Sequence, residues 1–306
     1  MSHLLSELPL ARFEVDRAAY LRSRPDWLTE IWTQDSTRVL VVNDGKIPVT
    51  DDLSLILTKP GHFNLLSAQV AEDISLLGVT SEHTYLVYFT TNDQLSEASW
   101  VSLRDVGAQL SALDVGLATS ATALGAWHEN HKYCAKCGAS TIVSAAGWSR
   151  TCSMEKTEHY PRTEPAMIVA VQDQAGRILL GRRKQWADSW FSTLAGFVEA
   201  GESAESCVIR EVFEESGITV DPNTLQYLGS QPWPFPASLM LGYRATAIST
   251  DLKSDDDEMA EVKWFSRSEF ITACESKALQ LPNQTTIAWH LIQAWFGEDM
   301  PTTWCR

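Results

Sequence analysis

The stretch GFVEAGESAESCVIREVFEESGI, residues 196–218, constrains this chain more than any other feature. Residues 203–216 read as a helix, and Gly217 stops it because glycine enters the left-handed C-terminal position without steric cost. Within that helix Glu211 and Glu215 are four residues apart and Glu214 is three from Glu211, so three carboxylates share one sector of the surface. Like charges at that spacing repel. A hard divalent ion such as Mg²⁺ or Mn²⁺ removes the conflict, accepting carboxylate oxygens while keeping positions for water and substrate phosphate. The preceding loop adds Glu199 and Glu202, and Gly196 and Gly201 let its backbone turn tightly. Taken alone, an acidic helix of this kind reads more readily as the wet face of an amphipathic helix.

The longer pattern decides between these readings. Residues 196–218 satisfy Gly-x5-Glu-x7-Arg-Glu-U-x-Glu-Glu-x-Gly-U, with U aliphatic, at every specified position. Average residue usage makes a chance match roughly 10⁻⁹ per starting point. In this the chain resembles the Nudix hydrolases. The resemblance implies an α+β protein with the Nudix fold, a mixed sheet between helices, in which the motif forms a loop, helix and loop that holds the metals. It further implies that Glu211 and Glu215 are metal ligands, that Glu214 is a ligand or the catalytic base, and that Arg210 orients the carboxylates. The implied chemistry is attack of a metal-activated water on one phosphorus of a nucleoside diphosphate linked to another group.

A second motif narrows the substrate. Residues 230–238 read SQPWPFPAS, in which Pro232, Pro234 and Pro236 fix φ and remove donors, giving a stiff loop. Trp233 and Phe235 are presented on it with little freedom, and flat apolar rings suit stacking against a base or nicotinamide. Alternating proline and aromatic residues also occur in polyproline ligands and packed edge loops. Placed soon after the Nudix box, the segment resembles the signature of the NADH pyrophosphatase subfamily, as does the upstream Tyr160-Pro161-Arg162; the likeness covers about residues 130–300. It implies that Gln231, Pro232, Trp233, Pro234, Phe235, Pro236, Ala237 and Ser238 line a dinucleotide site, with Tyr160 touching substrate and Ala288 a further candidate. A downstream acid, Glu258 or alternatively Glu261, and the backbone at Ala195 would complete the metal set. The implied activity is hydrolysis of NADH or NAD⁺ to nicotinamide mononucleotide and AMP. Removal of NAD caps from RNA by the same chemistry is the alternative. A non-catalytic dinucleotide sensor is a third reading, against which the intact box argues.

Cys134-Ala-Lys-Cys137, followed by Cys152 after fourteen residues, resembles the zinc ribbon that precedes the Nudix domain in this subfamily. That ribbon has Cys-x2-Cys twice, whereas here Cys152 is followed three residues on by Glu155. The expectation is one structural zinc held by Cys134, Cys137, Cys152 and Glu155, with His131 or His159 as substitutes, or else a ribbon that has lost its metal.

These motifs divide the 306 residues into a β-rich N-terminal domain over 1–130, a zinc-ribbon-like module over 131–159 and the Nudix domain over 160–306. In the first part, the apolar runs flanking Asn43-Asp44-Gly45 predict a hairpin and TYLVYFT, 84–90, a strand. Residues 103–129 read as helical, although Gly107, Gly116 and Gly125 count against one unbroken helix. In the last part, strands are expected at 167–171, 177–180, 239–248 and 261–265, an acidic loop at 251–258, and a closing helix at 285–296. A formal charge of −15 argues against a surface built to neutralise a nucleic-acid backbone, while leaving room for one nucleotide at a defined site. With no run of roughly 20 apolar residues and no basic-then-apolar start, no membrane insertion is expected and the cytoplasm is the expected location. The resemblance implies a homodimer.

Overall fold

The computed structural model describes residues 5, 8–24, 26–63, 72–91, 95, 98–253, 258–297 and 299–305; the first residues of the chain and 254–257 of the expected acidic loop lie outside these. The chain divides into two units, Arg12–Thr163 with Trp233–Ala237, and Met1–Ala11 with Glu164–Pro232 and Ser238–Arg306.

The first of these carries α1 (Trp27–Trp32), β1 (Thr37–Asn43), β2 (Ile47–Val49), β3 (Leu57–Thr58), β4 (Ile74–Val79), β5 (Thr84–Thr90), β6 (Ser99–Val101), α2 (Leu103–Val106) and α3 (Ala112–Asn130). Four strands form a sheet in the order β3-β1-β5-β4, with β1 and β5 parallel. Val39, Val41, Ile74, Leu76 and Leu86 fill its core. The turn expected at Asn43-Asp44-Gly45 forms: Asn43 and Lys46 exchange both backbone hydrogen bonds, at 3.0 and 2.9 Å. The expected hairpin, however, ends there, because β2 pairs with β6 rather than β1. The next position that must donate to β1 is residue 48, and Pro48 has no N–H.

The stretch 103–129 is interrupted, as expected, at Gly107, which ends α2, whereas α3 runs unbroken through Gly116 and Gly125. A Cβ on Gly116 would come within 3.1 Å of the Phe13 ring, and one on Gly125 within 3.0 Å of the Phe89 ring. The two glycines therefore admit aromatic neighbours, and that packing outweighs their propensity cost of about 1 kcal/mol each. Three short antiparallel strands follow in the same unit: β7 (Thr141–Ser144), β8 (Ser149–Cys152) and β9 (Glu158–His159).

The other unit is built on β10 (Glu164–Gln172), β11 (Ile178–Arg183), β12 (Leu194–Phe197), β13 (Gln226–Trp233), β14 (Ser238–Thr246) and β15 (Met259–Phe265), with α4 (Ala204–Ser216), α5 (Arg267–Glu275) and α6 (Ile287–Phe296). The sheet order is β13-β14-β10-β11-β15, with β12 also on β10; β10 runs parallel to β14 and antiparallel to β11 and β12. The period-2 alternation of β10 separates two cores. Met167, Val169 and Val171 meet Cys207, Val208 and Val212 of α4. Ile168 and Ala170 meet Phe270 of α5 and Ile287, Leu291 and Ile292 of α6. This is the mixed sheet between helices that the motif implied. Helix α5 was not foreseen, although Ser266 and Glu269 form the capping box that announces it.

Ser203 caps α4 by accepting from the Ser206 N–H at 3.1 Å, and Gly217 ends it at φ 71°. Burial of Val208 and Val212, worth about 1.5–3 kcal/mol each, fixes which face of α4 meets the sheet. The polar face then carries Arg210, Glu211 and Glu214.

Candidate active site and metal-ligand set

Arg210 is the hub of the loop and helix. Its Nε and Nη2 donate to both oxygens of Glu202 at 2.8 Å each, its Nη1 to Glu211 Oε1 at 2.8 Å and Glu214 Oε2 at 2.9 Å, and Nη2 also to the Phe197 carbonyl at 3.1 Å. The two-pronged contact ties the loop to the helix. Hydrogen bonding to Arg210 pulls Glu202 down to about 2, and the Glu202 and neighbouring carboxylates push Arg210 above its ordinary value. Glu211 goes the other way: burial raises it, against the pull of Arg210. The Gly196 position admits its carboxyl, since a Cβ there would stand 1.9 Å from Glu211 Cδ.

Glu215 points from α4 into the protein and is 3% exposed. Arg183 Nη2 donates to its Oε1 at 3.3 Å, and its Oε2 is buried with no hydrogen-bond partner. Burial raises the carboxyl to about 7, with Arg183 opposing. The same arginine reaches Glu258 Oε1 at 2.9 Å and the Ala195 carbonyl at 3.0 Å. A bulge brings Glu258 there: Arg182 pairs with Glu261 and Arg183 with Met259, leaving Ala260 as the extra residue of β15. Glu261 instead faces Arg182 at 3.9 Å, so of the two acids considered, Glu258 is the one held beside Glu215.

The donor set fits a divalent metal ion. An orphaned buried oxygen costs on the order of 1–3 kcal/mol, more for a charged group, and Glu215 Oε2 is such an atom. The carboxylates recorded near Glu215 are Glu211 and Glu258, and with the Ala195 carbonyl they are hard oxygen donors, suited to Mg²⁺-like ions and not to soft ones.

Of the segment expected to line the substrate, Gln231, Pro232 and Ser238 fall in one unit and Trp233–Ala237 in the other. Gln231 is wholly buried: its Nε2 donates to the Thr285 carbonyl at 3.0 Å and its Oε1 accepts from the Leu10 N–H at 3.3 Å, so its amide braces the core. Ala288 is likewise buried in the α5–α6 core. Pro232, Pro236, Ala237 and Ser238 are at least partly accessible and Pro234 is buried. Trp233 and Phe235 meet edge to face at 4.9 Å, and the Arg104 guanidinium lies 5.3 and 4.8 Å from their ring centres. Tyr160 is exposed, its hydroxyl donating to Glu158 at 2.7 Å.

The three ribbon cysteines converge. Their sulfurs lie within 4.8 Å of one another, Cys137 to Cys152 at 3.5 Å. Tetrahedral zinc with bonds of about 2.3 Å sets its sulfurs roughly 3.8 Å apart, so this cluster fits zinc. Two matching turns present it, with the Gly138 N–H on the Cys134 carbonyl at 2.9 Å and the Lys156 N–H on the Cys152 carbonyl at 3.1 Å. Glu155 occupies in the second turn the place of Cys137 in the first. Among the described residues only the three cysteines make up the group; Glu155 pairs with Lys136 at 3.2 Å, and His131 and His159 stay outside.

Three participants escaped the sequence reading. Arg183 lies outside the motif, and its only signal was a basic pair closing a strand whose partner follows Glu258 and carries Glu261. Glu202 was noted as an acid but not as the anchor of Arg210. Cys207, with its thiol pushed up to about 12 by burial, sits beneath the loop at 3.2 Å from the Phe197 carbonyl.

The fold and this acidic set define the class: residues 162–289 match the NUDIX domain and residues 129–160 the NADH pyrophosphatase zinc ribbon domain, and the chain belongs to the Nudix hydrolase family. More particularly, it is 44% identical over 208 residues to the NAD-capped RNA hydrolase NudC of Mycobacterium bovis, covering 65% of this chain and 66% of that protein. It is 38% identical over 199 residues to the human NAD-capped RNA hydrolase NUDT12, covering 61% of this chain and 43% of that protein. The chain thus spans just under two thirds of the length of the bacterial relatives it matches. A NUDIX hydrolase structure from Nitrosomonas europaea superposes on 45% of this chain and 79% of its own, with 22% identity and a TM-score of 0.39.

Proposed function

We propose that this chain hydrolyses the diphosphate bridge of NADH or NAD⁺, giving nicotinamide mononucleotide and AMP, with Mg²⁺ or Mn²⁺ held by Glu211, Glu214, Glu215, Glu258 and the Ala195 carbonyl. The observation that carries it is the buried, half-unpartnered Glu215 beside Glu258 and Ala195. A divalent ion, when bound, lowers the pKa of a coordinated water and offsets charge on the diphosphate. Arg210 holds Glu211 and Glu214 in register with the loop. Glu214, its side chain half exposed and tied to Arg210 through one oxygen, keeps a carboxylate toward solvent that suits a base. Trp233 and Phe235 would stack on a base or nicotinamide, and Tyr160 would add a contact.

The second reading, removal of NAD caps from RNA by the same cut, is favoured by the names of the relatives at 44% and 38% identity. Structural zinc in the ribbon belongs to both readings. The homodimer rests on the family likeness and the cytoplasmic location on the sequence reading; no helix among the described residues is long and apolar enough to cross a membrane.

The test incubates pure protein with NADH, NAD⁺, ADP-ribose and an NAD-capped RNA, with Mg²⁺ or Mn²⁺ and with EDTA, and identifies the products. AMP with reduced nicotinamide mononucleotide from NADH is expected, abolished by chelator. Free nicotinamide, or full activity in EDTA, overturns the proposal. Cleavage confined to the capped RNA selects the second reading.

A further inference from the structure

Two arginines divide the acidic set between them. Arg210, part of the motif, takes Glu202, Glu211 and Glu214. Arg183, outside the motif, takes the remainder: Glu258 at 2.9 Å, the Ala195 carbonyl at 3.0 Å and Glu215 at 3.3 Å. A buried carboxylate without a partner is strongly unfavourable, and Glu215 has Arg183 as its only cation within salt-bridge distance among the described residues. The guanidinium is a weakly hydrated fork, well suited to holding several oxygens at once.

We infer that Arg183 is a displaceable counter-ion of the metal site: it gathers the Glu215, Glu258 and Ala195 oxygens in the metal-free protein, and a divalent ion must displace it to bind them. Mg²⁺-like ions take such oxygens at about 2.0–2.1 Å, closer than the hydrogen bonds made here; an ion entering on the free Glu215 Oε2 would set its charge against the guanidinium across the same carboxylates, and that repulsion drives Arg183 off. The arginine has a way out. It closes β11 at the bulge, and its side chain is 35% exposed. Arg183 therefore keeps these oxygens together and lowers their affinity for metal. An arginine that merely braced the strand end would do the first and not the second.

This inference rests on the reading of the carboxylates as a divalent-metal site, and the parent protein tests that reading separately. The experiment is Mn²⁺ titration by electron paramagnetic resonance on chelator-treated parent, Arg183→Gln and Arg183→Lys, with melting temperatures in EDTA and in excess Mn²⁺. Arg183→Gln should bind Mn²⁺ more tightly by roughly tenfold, the scale of one partly exposed ion pair. It should melt lower than the parent in EDTA and recover most of that loss in Mn²⁺. Arg183→Lys, a point charge that spans fewer of the three oxygens, should bind with intermediate affinity, and this comparison suffices if the glutamine variant fails to fold. Affinity in the variants equal to or below the parent's, or a melting deficit of the same size with and without Mn²⁺, overturns the inference while leaving the metal site standing. A parent that binds no Mn²⁺ overturns both.

Discussion

Gly196 and Glu211 occupy each other's space: the carboxyl carbon of the glutamate lies 1.9 Å from where a Cβ on residue 196 would stand. Gly196 pairs with Met167 in the ordinary β10–β12 ladder, and its backbone is not left-handed, so an alanine is conformationally acceptable there. The clash is with the end of a flexible side chain, which can swing. Gly196→Ala should accordingly leave the fold intact while moving Glu211 off its position. The expected result is a loss of turnover of roughly tenfold or more with an unchanged far-ultraviolet spectrum. Parental kcat in a well-folded variant would mean that Glu211 does not need this position.

Much of this site was legible because the Nudix pattern is local. Spacing along one helix and its cap places Arg210, Glu211, Glu214 and Glu215 on the correct turns, and period-2 alternation makes β10 a two-sided core strand. What was hidden came from elsewhere in the chain. Arg183 meets Glu258 through a bulge that no pattern in 259–265 announces, and β2 leaves β1 for β6 because of one missing donor at Pro48. The glycines of α3 misled for a related reason: their value lies in Phe13 and Phe89, which are distant in sequence. Gln231 was read as a ligand contact from its place in SQPWPFPAS, yet both ends of its amide are used inside the core.

Glu215 should leave a pH signature on the metal-free fold. Burial raises its carboxyl to about 7 from an ordinary 4.5, so between those values the folded chain holds a proton that the unfolded chain has lost. Stability from this group is therefore fully present below about pH 4.5 and declines as the pH rises through 7, by up to about 3 kcal/mol. His128 acts in the opposite sense: burial lowers it to about 4, so its contribution grows as the pH rises toward 6.5. Glu215→Gln retains the histidine and removes the acid. Urea unfolding in EDTA should show the variant gaining on the parent from pH 5 to 8. Parallel curves would mean that Glu215 is not a buried acid. With metal present, the same variant should lose turnover by roughly a hundredfold.

Trp233 and Phe235 form an edge-to-face pair under the Arg104 guanidinium. If they stack on the dinucleotide, Trp233→Ala or Phe235→Ala should raise KM with little change in kcat, because the rings stabilise bound substrate and take no part in bond cleavage. Steady-state kinetics on NADH decide it. Unchanged KM in both variants would reduce the pair to packing within the loop.

The ribbon offers the sharpest test of how this chain departs from its family's pattern. Three sulfurs converge within 4.8 Å, and the turn that should deliver a fourth delivers Glu155, whose carboxylate is held by Lys136. Zinc is borderline-soft and favours a complete set of four thiolates in structural sites, so a site with three sulfurs and one competing carboxylate should hold it less firmly. Because Glu155 follows Cys152 by the same three residues that separate Cys137 from Cys134, in a turn closed by the same backbone hydrogen bond, a cysteine at 155 would enter from the matching position. Glu155→Cys should retain zinc through a chelator wash that strips part of it from the parent, and it should melt at a higher temperature with turnover little changed, since metal binding at such a site is coupled to folding. Elemental analysis of both proteins, purified without chelator, provides the measurement. Equal retention would show that three sulfurs already suffice, and absence of zinc from both would mean that Cys134, Cys137 and Cys152 remain clustered without a metal to hold.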